Sequence, residues 1–243
     1  WAEVLPPERC AYVLGNPPFV GAKFMDDVQR ADAQAVFAGV EGGGLLDFVA
    51  AWYVKALRYA KAGGGAGPRC AFVSTNSITQ GEQVGVLWGW MLGQGAKIHF
   101  AHRSFQWSNE ARGVAAVHCV IVGFGLGEHM PKRIFEYEDI RGEPHAVTAA
   151  NINPYLVDAP DLVLPRRSRP ICDVPAVSFG SMANDGGHLL LAQGERNALL
   201  AASPAAEQWL RPFVGADEFI NGVPRWCLWL KECPPATLRS MPP

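Results

Sequence analysis

Residues 12–21, YVLGNPPFVG, govern how the rest of the chain is interpreted. A short apolar run is stopped by Gly15 and followed at once by Asn16, Pro17, Pro18 and Phe19. A simple bend needs only Asn or Gly with one proline. Two adjacent prolines fix two φ angles and remove two backbone donors, so the loop is stiff and its carbonyls are left unpaired. Set between an amide and an aromatic ring, this loop has the makings of a preorganised socket for a flat, hydrogen-bonding molecule.

Working outward, the first half alternates strand and helix signals. CAYVLG (10–15) predicts a buried strand, and MDDVQRADAQAVF (25–37) a helix with acidic residues in its first turn. LLDFVAAWYVKALRYAKA (45–62) is the clearest helix, with Leu45, Val49, Trp52, Ala56 and Tyr59 on one face and Gly63 to Gly65 as its C-terminal stop. CAFVSTNSI (70–78) is a second strand running into a polar loop, and a helix with Val84, Leu87, Trp88 and Met91 follows at 82–94. Strands at 96–102 and 114–125 complete the pattern. Alternation of this kind predicts an α/β fold with a mostly parallel sheet and helices on both faces. The last two strands have no helix between them and are expected to pair antiparallel as an edge hairpin. Such sheets bind ligands at the carboxyl ends of their strands, which puts both NPPF and STNS on one rim.

Beyond residue 130 the character changes. KRIFEYEDIRGEPHAV (132–147) reads as short strands around a turn, and the stretch from 151 is rich in Pro, Asn and Asp. A boundary is expected near 140–165, dividing the chain into 1–150 and a mixed α+β part at 151–243. After residue 130 there are 11 basic against 13 acidic residues, so this half is not basic as a whole.

Apolar residues make up 49% of the 243 and charged ones 18%, enough for a real core. The net charge of −2 lacks the overall basic signature of a nucleic-acid binder, although a neutral total can hide local patches. The six cysteines show no CxxC pair and no zinc spacing, which predicts buried free thiols in a reducing cytosol and no structural metal. His99 and His118 alternate with apolar residues and are expected at core or edge positions. No segment has the length of a membrane span, and no signal peptide is evident. The start without Met and the abrupt end at SMPP suggest a piece of a longer polypeptide.

An aromatic amine is a poor nucleophile because its lone pair is delocalised into the ring. Two acceptors, the Asn16 side-chain oxygen and the Pro17 carbonyl, would each take one N–H and favour the tetrahedral nitrogen needed for attack. They help more as positive charge develops, so they stabilise the transition state over the ground state. Phe19 would stack on the ring and hold it in plane. This loop resembles motif IV of the amino-methylating DNA methyltransferases, which use S-adenosylmethionine and flip the target base out of the duplex. LLDFVAAWYVKALRYAKAGG resembles the family's next helix (motif V), AFVSTNSI its motif VI, and SFQWSNEARGVAAVHCVIVGF its motif VIII with the following strand. The run from GNPPFVGAKFM to RWCLWL is similar to the bacterial restriction–modification enzymes of the MmeI type, over nearly the entire chain.

The resemblance implies the second half of a Rossmann-like class I methyltransferase sheet, ending in an antiparallel hairpin, then the beginning of a target-recognition region. It implies catalytic roles for Asn16, Pro17, Pro18 and Phe19, and base stacking by Phe19 and Phe105 from opposite faces. Asp47 would approach the cofactor pocket. The Gly-rich cofactor motif is absent, so this stretch alone is expected to be inactive, and S-adenosylmethionine is expected in the parent enzyme. Double-stranded DNA is the implied partner, adenine the implied base and the bacterial cytoplasm the implied location. Lys23 and the cluster Arg166, Arg167 and Arg169 are candidates for phosphate contacts or for solvated surface. Asn76 and Ser77 lie on the expected rim or cap a helix. Asn109, Glu110 and Arg112 touch DNA backbone or are solvated, and Trp107 is read as packing. The cytosine amine fits the same socket. Protein glutamine methyltransferases share Asn-Pro-Pro but end soon after the catalytic sheet. A non-catalytic DNA-binding module is the alternative from another class.

Overall fold

The computed structural model describes residues 1–65, 67–107, 117–175 and 184–241. They form two compact units, Trp1–Ser168 and Arg169–Pro243. Residues 151–168 therefore pack with the first.

The first unit is built on a mixed six-stranded sheet. Its elements are β1 (Tyr12–Gly15), α1 (Asp27–Val36), α2 (Ala50–Ala62), β2 (Arg69–Thr75), α3 (Gly81–Gly93), β3 (Ala96–Trp107), β4 (Val117–Leu126), β5 (Lys132–Glu136) and β6 (His145–Ala149). Strand order is β1-β2-β4-β3-β5-β6. β1 and β2 are parallel, β4 runs antiparallel to both β2 and β3, β5 is parallel to β3, and β6 closes antiparallel on β5.

The hairpin of β3 and β4 forms as expected but does not lie at the edge. β4 inserts between β2 and β3, and the sheet continues through β5 and β6. The cause lies in how β4 packs. Val120, Val122 and Phe124 alternate along one face of β4 and are fully buried, as is Cys119 on the other face, and a strand this apolar is better placed between two neighbours than as an open edge. At Gly123 an added Cβ would come within 2.1 Å of the Phe100 ring, so only glycine lets that ring cross the strand.

β1 departs from the buried strand predicted for it. It pairs only with β2, and Tyr12 and Leu14 are 55% and 71% exposed. Helix α2 begins at Ala50 rather than at 45, because residues 43–45 form a 3₁₀ turn and Asp47 is held elsewhere. Its apolar surface is also wider than one face: Ala50, Tyr53, Val54, Ala56, Leu57 and Ala60 are all buried. Helix α1 starts where a capping box closes it, with Asp26 accepting from Gln29 N and Gln29 accepting from Asp26 N.

Tyr53 of α2 stacks on Phe124 at 5.1 Å, with Phe72 of β2 and Trp88 of α3 edge-on to it. Each such pair contributes about 0.5–1.5 kcal/mol beyond its area burial. This cluster puts both helices on one face of the sheet. On the other face Ala71, Val73 and Ile121 remain half-buried, so the expected helices on both faces are not found among the described residues.

The second unit contains β7 (Leu190–Ala192), α4 (Gln193–Ala202), β8 (Leu210–Phe213), α5 (Ala216–Asn221), β9 (Arg225–Leu228) and α6 (Pro235–Ser240). Its sheet is antiparallel in the order β7-β9-β8. The Arg196 guanidinium lies over Trp226, and the largely buried Glu218 carboxylate pairs with Arg225 at 2.8 Å.

Candidate functional site

The parallel strands β1, β2 and β3 deliver their carboxyl ends to one rim. The register makes this concrete: Thr75 at the end of β2 and Phe105 near the end of β3 both lie opposite Cys119 of β4. Gly15 ends β1 beside Phe72, so Asn16 to Phe19 leave the sheet at that same rim. Asn76 Nδ2 reaches Ser104 Oγ at 3.4 Å, joining the ends of β2 and β3.

Within the loop, Pro17 is buried, Phe19 is half-buried against the core, and Asn16 and Pro18 are exposed. Neither the Asn16 side chain nor the Pro17 carbonyl has a hydrogen-bond partner among the described residues. Both acceptors are thus unpaired among the described residues, in a loop that the two prolines stiffen.

The downstream arm of the loop is tied to residues 47 and 48. Phe48 N donates to Val20 O at 2.9 Å, and Ala22 N donates to Asp47 Oδ1 at 2.9 Å. Asp47 Oδ2 accepts from Ser77 Oγ and from Gln83 Nε2, each at 2.8 Å, while Asp47 N donates to Gln83 Oε1 at 2.9 Å. Because the Ser77 proton goes to Asp47, the 2.8 Å contact between Thr75 Oγ1 and Ser77 Oγ has Thr75 as its donor. Neither Asn76 nor Ser77 caps α3, whose N-cap residue Gln80 makes no side-chain cap.

Phe105 is half-buried, and its ring stacks on Tyr137 at 5.3 Å. The Tyr137 hydroxyl meets His102 Nδ1 at 2.8 Å, and His102 in turn stacks on Phe135 at 4.2 Å. Burial pushes the His102 pKa down, so the ring is biased towards its neutral form. His99 is likewise lowered, chiefly by burial; its Nε2 donates to Gly127 O at 3.0 Å. His118 is exposed. Sequence reasoning missed Tyr137, His102 and Gln83. An aromatic at 137 or an amide at 83 carries no local signal, since each acts through a partner 35 or 36 residues away.

Of the basic candidates, Lys23 is exposed, and Arg166 pairs with Glu82 of α3 at 3.3 Å. That pairing follows from chain path: an added Cβ on Gly85 would meet Leu164 O at 3.2 Å, so the segment entering the arginine cluster runs close along α3. Arg167 is exposed, and Arg169 is exposed in the second unit. Asn109, Glu110 and Arg112 lie outside the described residues, as does the side chain of Trp107. All six cysteines are free, but only Cys70 and Cys119 are buried and Cys172 is exposed, so the expectation of mostly buried thiols holds for two. Among the described residues no group of three or more His, Cys, Asp or Glu side chains is placed to hold a metal ion. No helix among them is long and apolar enough to cross a membrane.

Residues 1–136 match the family described as MmeI, DNA-methyltransferase domain. The chain belongs to that family. Residues 158–243 match a second description, MmeI, target recognition domain. The type IIL restriction-modification enzyme MmeI, solved in complex with DNA, shares 50% identity with a TM-score of 0.94, covering 100% of this chain and 32% of that one. DNA methyltransferase A of Bacillus subtilis (strain 168) is 39% identical over 245 residues, covering 100% of this chain and 27% of its own length. The chain thus spans about a third or less of the length of these two relatives.

Proposed function

We propose that the first unit carries the amine-positioning half of a DNA methyltransferase site, acting on the exocyclic amine of an adenine extruded from duplex DNA. The observation that carries this reading is the Asn-Pro-Pro-Phe loop, which leaves β1 at the carboxyl rim with the Asn16 side chain and Pro17 carbonyl unpartnered among the described residues. The order β1-β2-β4-β3 with β4 reversed supports a reading as the second half of a Rossmann-like class I methyltransferase sheet. Membership of the MmeI family supports the substrate class.

In this reading the Asn16 side-chain oxygen and Pro17 carbonyl each accept one N–H of the amine and draw its lone pair out of the ring. Phe19 packs on one face of the base and Phe105 on the other, with Tyr137 behind Phe105. As the nitrogen becomes positive the two acceptors bind it more strongly, and a proton then leaves to solvent. When bound to the complete polypeptide, S-adenosylmethionine would supply the methyl group, its sulfur–methyl bond breaking, and would leave as S-adenosylhomocysteine. The rim's unpaired acceptors suit the amine, and its carboxylate, Asp47, takes donors from Ala22, Ser77 and Gln83.

Residues 151–243 carry the start of the target-recognition region in the same reading, with Lys23, Arg166, Arg167 and Arg169 as phosphate contacts and the bacterial cytoplasm as location. The experiment incubates the complete polypeptide with labelled S-adenosylmethionine and unmethylated duplex, digests the product to nucleosides and weighs them. Methyladenine is the expected product. Methylcytosine would keep the socket and overturn the base; transfer to neither, with cofactor bound, would overturn the reading.

A further inference from the structure

Asp47 stands outside any regular element, three residues before α2, yet it gathers donors from positions 25, 30 and 36 residues away in sequence. The Asn-Pro-Pro-Phe loop has two ends to secure. Its upstream end is held by the pairing of Gly15 with Phe72. Its downstream end has no strand partner among the described residues, and Pro17 and Pro18 lack the N–H groups with which a loop would brace itself. There the structure offers Phe48 N on Val20 O and Asp47 Oδ1 on Ala22 N. Resting on the function proposed above, we infer that Asp47 is a positioning residue of the amine socket. It fastens the downstream arm of the loop to Ser77, in the turn that follows β2, and to Gln83 of α3, so that Asn16 and Phe19 are fixed relative to the rest of the rim.

The polarity of the network makes the inference testable. Gln83 grips Asp47 twice, accepting from its N–H and donating to Oδ2. An asparagine in place of Asp47 cannot satisfy every partner. With its amide nitrogen towards Gln83, two NH₂ groups confront each other, and Gln83 cannot turn because its oxygen is needed by the backbone N–H of position 47. With its oxygen towards Gln83, the nitrogen faces Ala22 N–H and the loop tether breaks. A glutamate in place of Gln83 reverses the polarity. It accepts both from that backbone N–H and from the amide introduced by Asp47→Asn, the second amide hydrogen goes to Ser77, and the Ser77 proton turns to Thr75. The oxygen of the introduced amide then returns to Ala22.

The complete polypeptide is compared with its Asp47→Asn, Gln83→Glu, Asp47→Asn/Gln83→Glu and Asn16→Ala forms. The readouts are hydrogen exchange of the peptide spanning residues 16–30, affinity for S-adenosylmethionine, and single-turnover methyl transfer. Each single change at 47 or 83 should speed exchange in that peptide and slow transfer on the order of 10²-fold, with cofactor affinity unchanged. The double variant should restore both. Cofactor affinity that falls with Asp47→Asn and is not restored by Gln83→Glu would make Asp47 a cofactor ligand and overturn the inference. Faster exchange with transfer unchanged would overturn it as well, while an inactive Asn16→Ala form would leave the proposed function standing. Full transfer by Asn16→Ala would overturn the proposed function itself, and the inference with it.

Discussion

Replacing Asn16 by alanine removes the amide that the proposed reaction uses and nothing that the fold uses. The side chain is exposed and has no partner among the described residues. Its backbone precedes a proline and is already confined to extended conformations, so alanine meets no new restriction there. An exposed, unpartnered side chain contributes within about 0.5 kcal/mol to stability. The kinetic loss is much larger. Removing one preorganised group that acts mainly on the transition state lowers kcat on the order of 10²–10³-fold, or about 2.7–4 kcal/mol. Asn16→Asp keeps an acceptor oxygen in place and should retain more activity than Asn16→Ala. The assay pairs single-turnover methyl transfer in the complete polypeptide with thermal unfolding of the same samples. A loss confined to KM would mean uniform binding rather than transition-state stabilisation and would refute the reasoning. So would a fall of several degrees in the unfolding midpoint, which would give Asn16 a structural role.

Three further outcomes follow from the packing of the first unit and from thiol exposure. Burial lowers the pKa of both His99 and His102; the unfolded chain therefore binds more protons once the pH falls below the ordinary histidine value near 6.5, and stability should decline from there downward and stay level above it. Denaturant titrations at a series of pH values check this, and a loss of stability on raising the pH from about 6.5 to about 8 would contradict it. Lys132 is buried, pairs with Glu128 at 2.7 Å and donates to Asn151 Oδ1 at 2.8 Å. Since Glu128 is half-exposed and also meets Lys97, Lys132→Met chiefly orphans Asn151. It should cost about 1–3 kcal/mol in equilibrium unfolding, below the roughly 3–5 kcal/mol of a fully buried broken pair. A thiol reagent should label exposed Cys172 in the native protein and reach Cys70 and Cys119 only on unfolding, because burial pushes the Cys70 thiol up to about 12 and raises Cys119 too. Mass spectrometry of the labelled peptides reads this directly, and early labelling of Cys70 would contradict it.

What the sequence determined by itself was local. The Asp26–Gln29 box starts α1 because both partners sit within one turn, and strand and helix periods located β2, α3 and the short strands β5 and β6. The Asn16–Phe19 loop was legible because proline stiffness and an amide set beside an aromatic ring are properties of four adjacent residues. Only the tertiary structure decided the rest. β4 lies inside the sheet because burying Val120, Val122 and Phe124 requires neighbours on both sides, and which strands those are depends on the whole sheet. β1 is exposed although its residues suit a buried strand, since exposure is set by what packs against a segment and not by its composition. Asp47 showed only as an acid near a helix start, and the cofactor contact was what the resemblance to motif V implied for it. Its bonds to Ala22, Ser77 and Gln83 arise only once three chain segments converge on one rim. Hydrogen bonds between residues distant in sequence leave no periodicity behind, so the loop could be read from its residues while the clamp behind it could not.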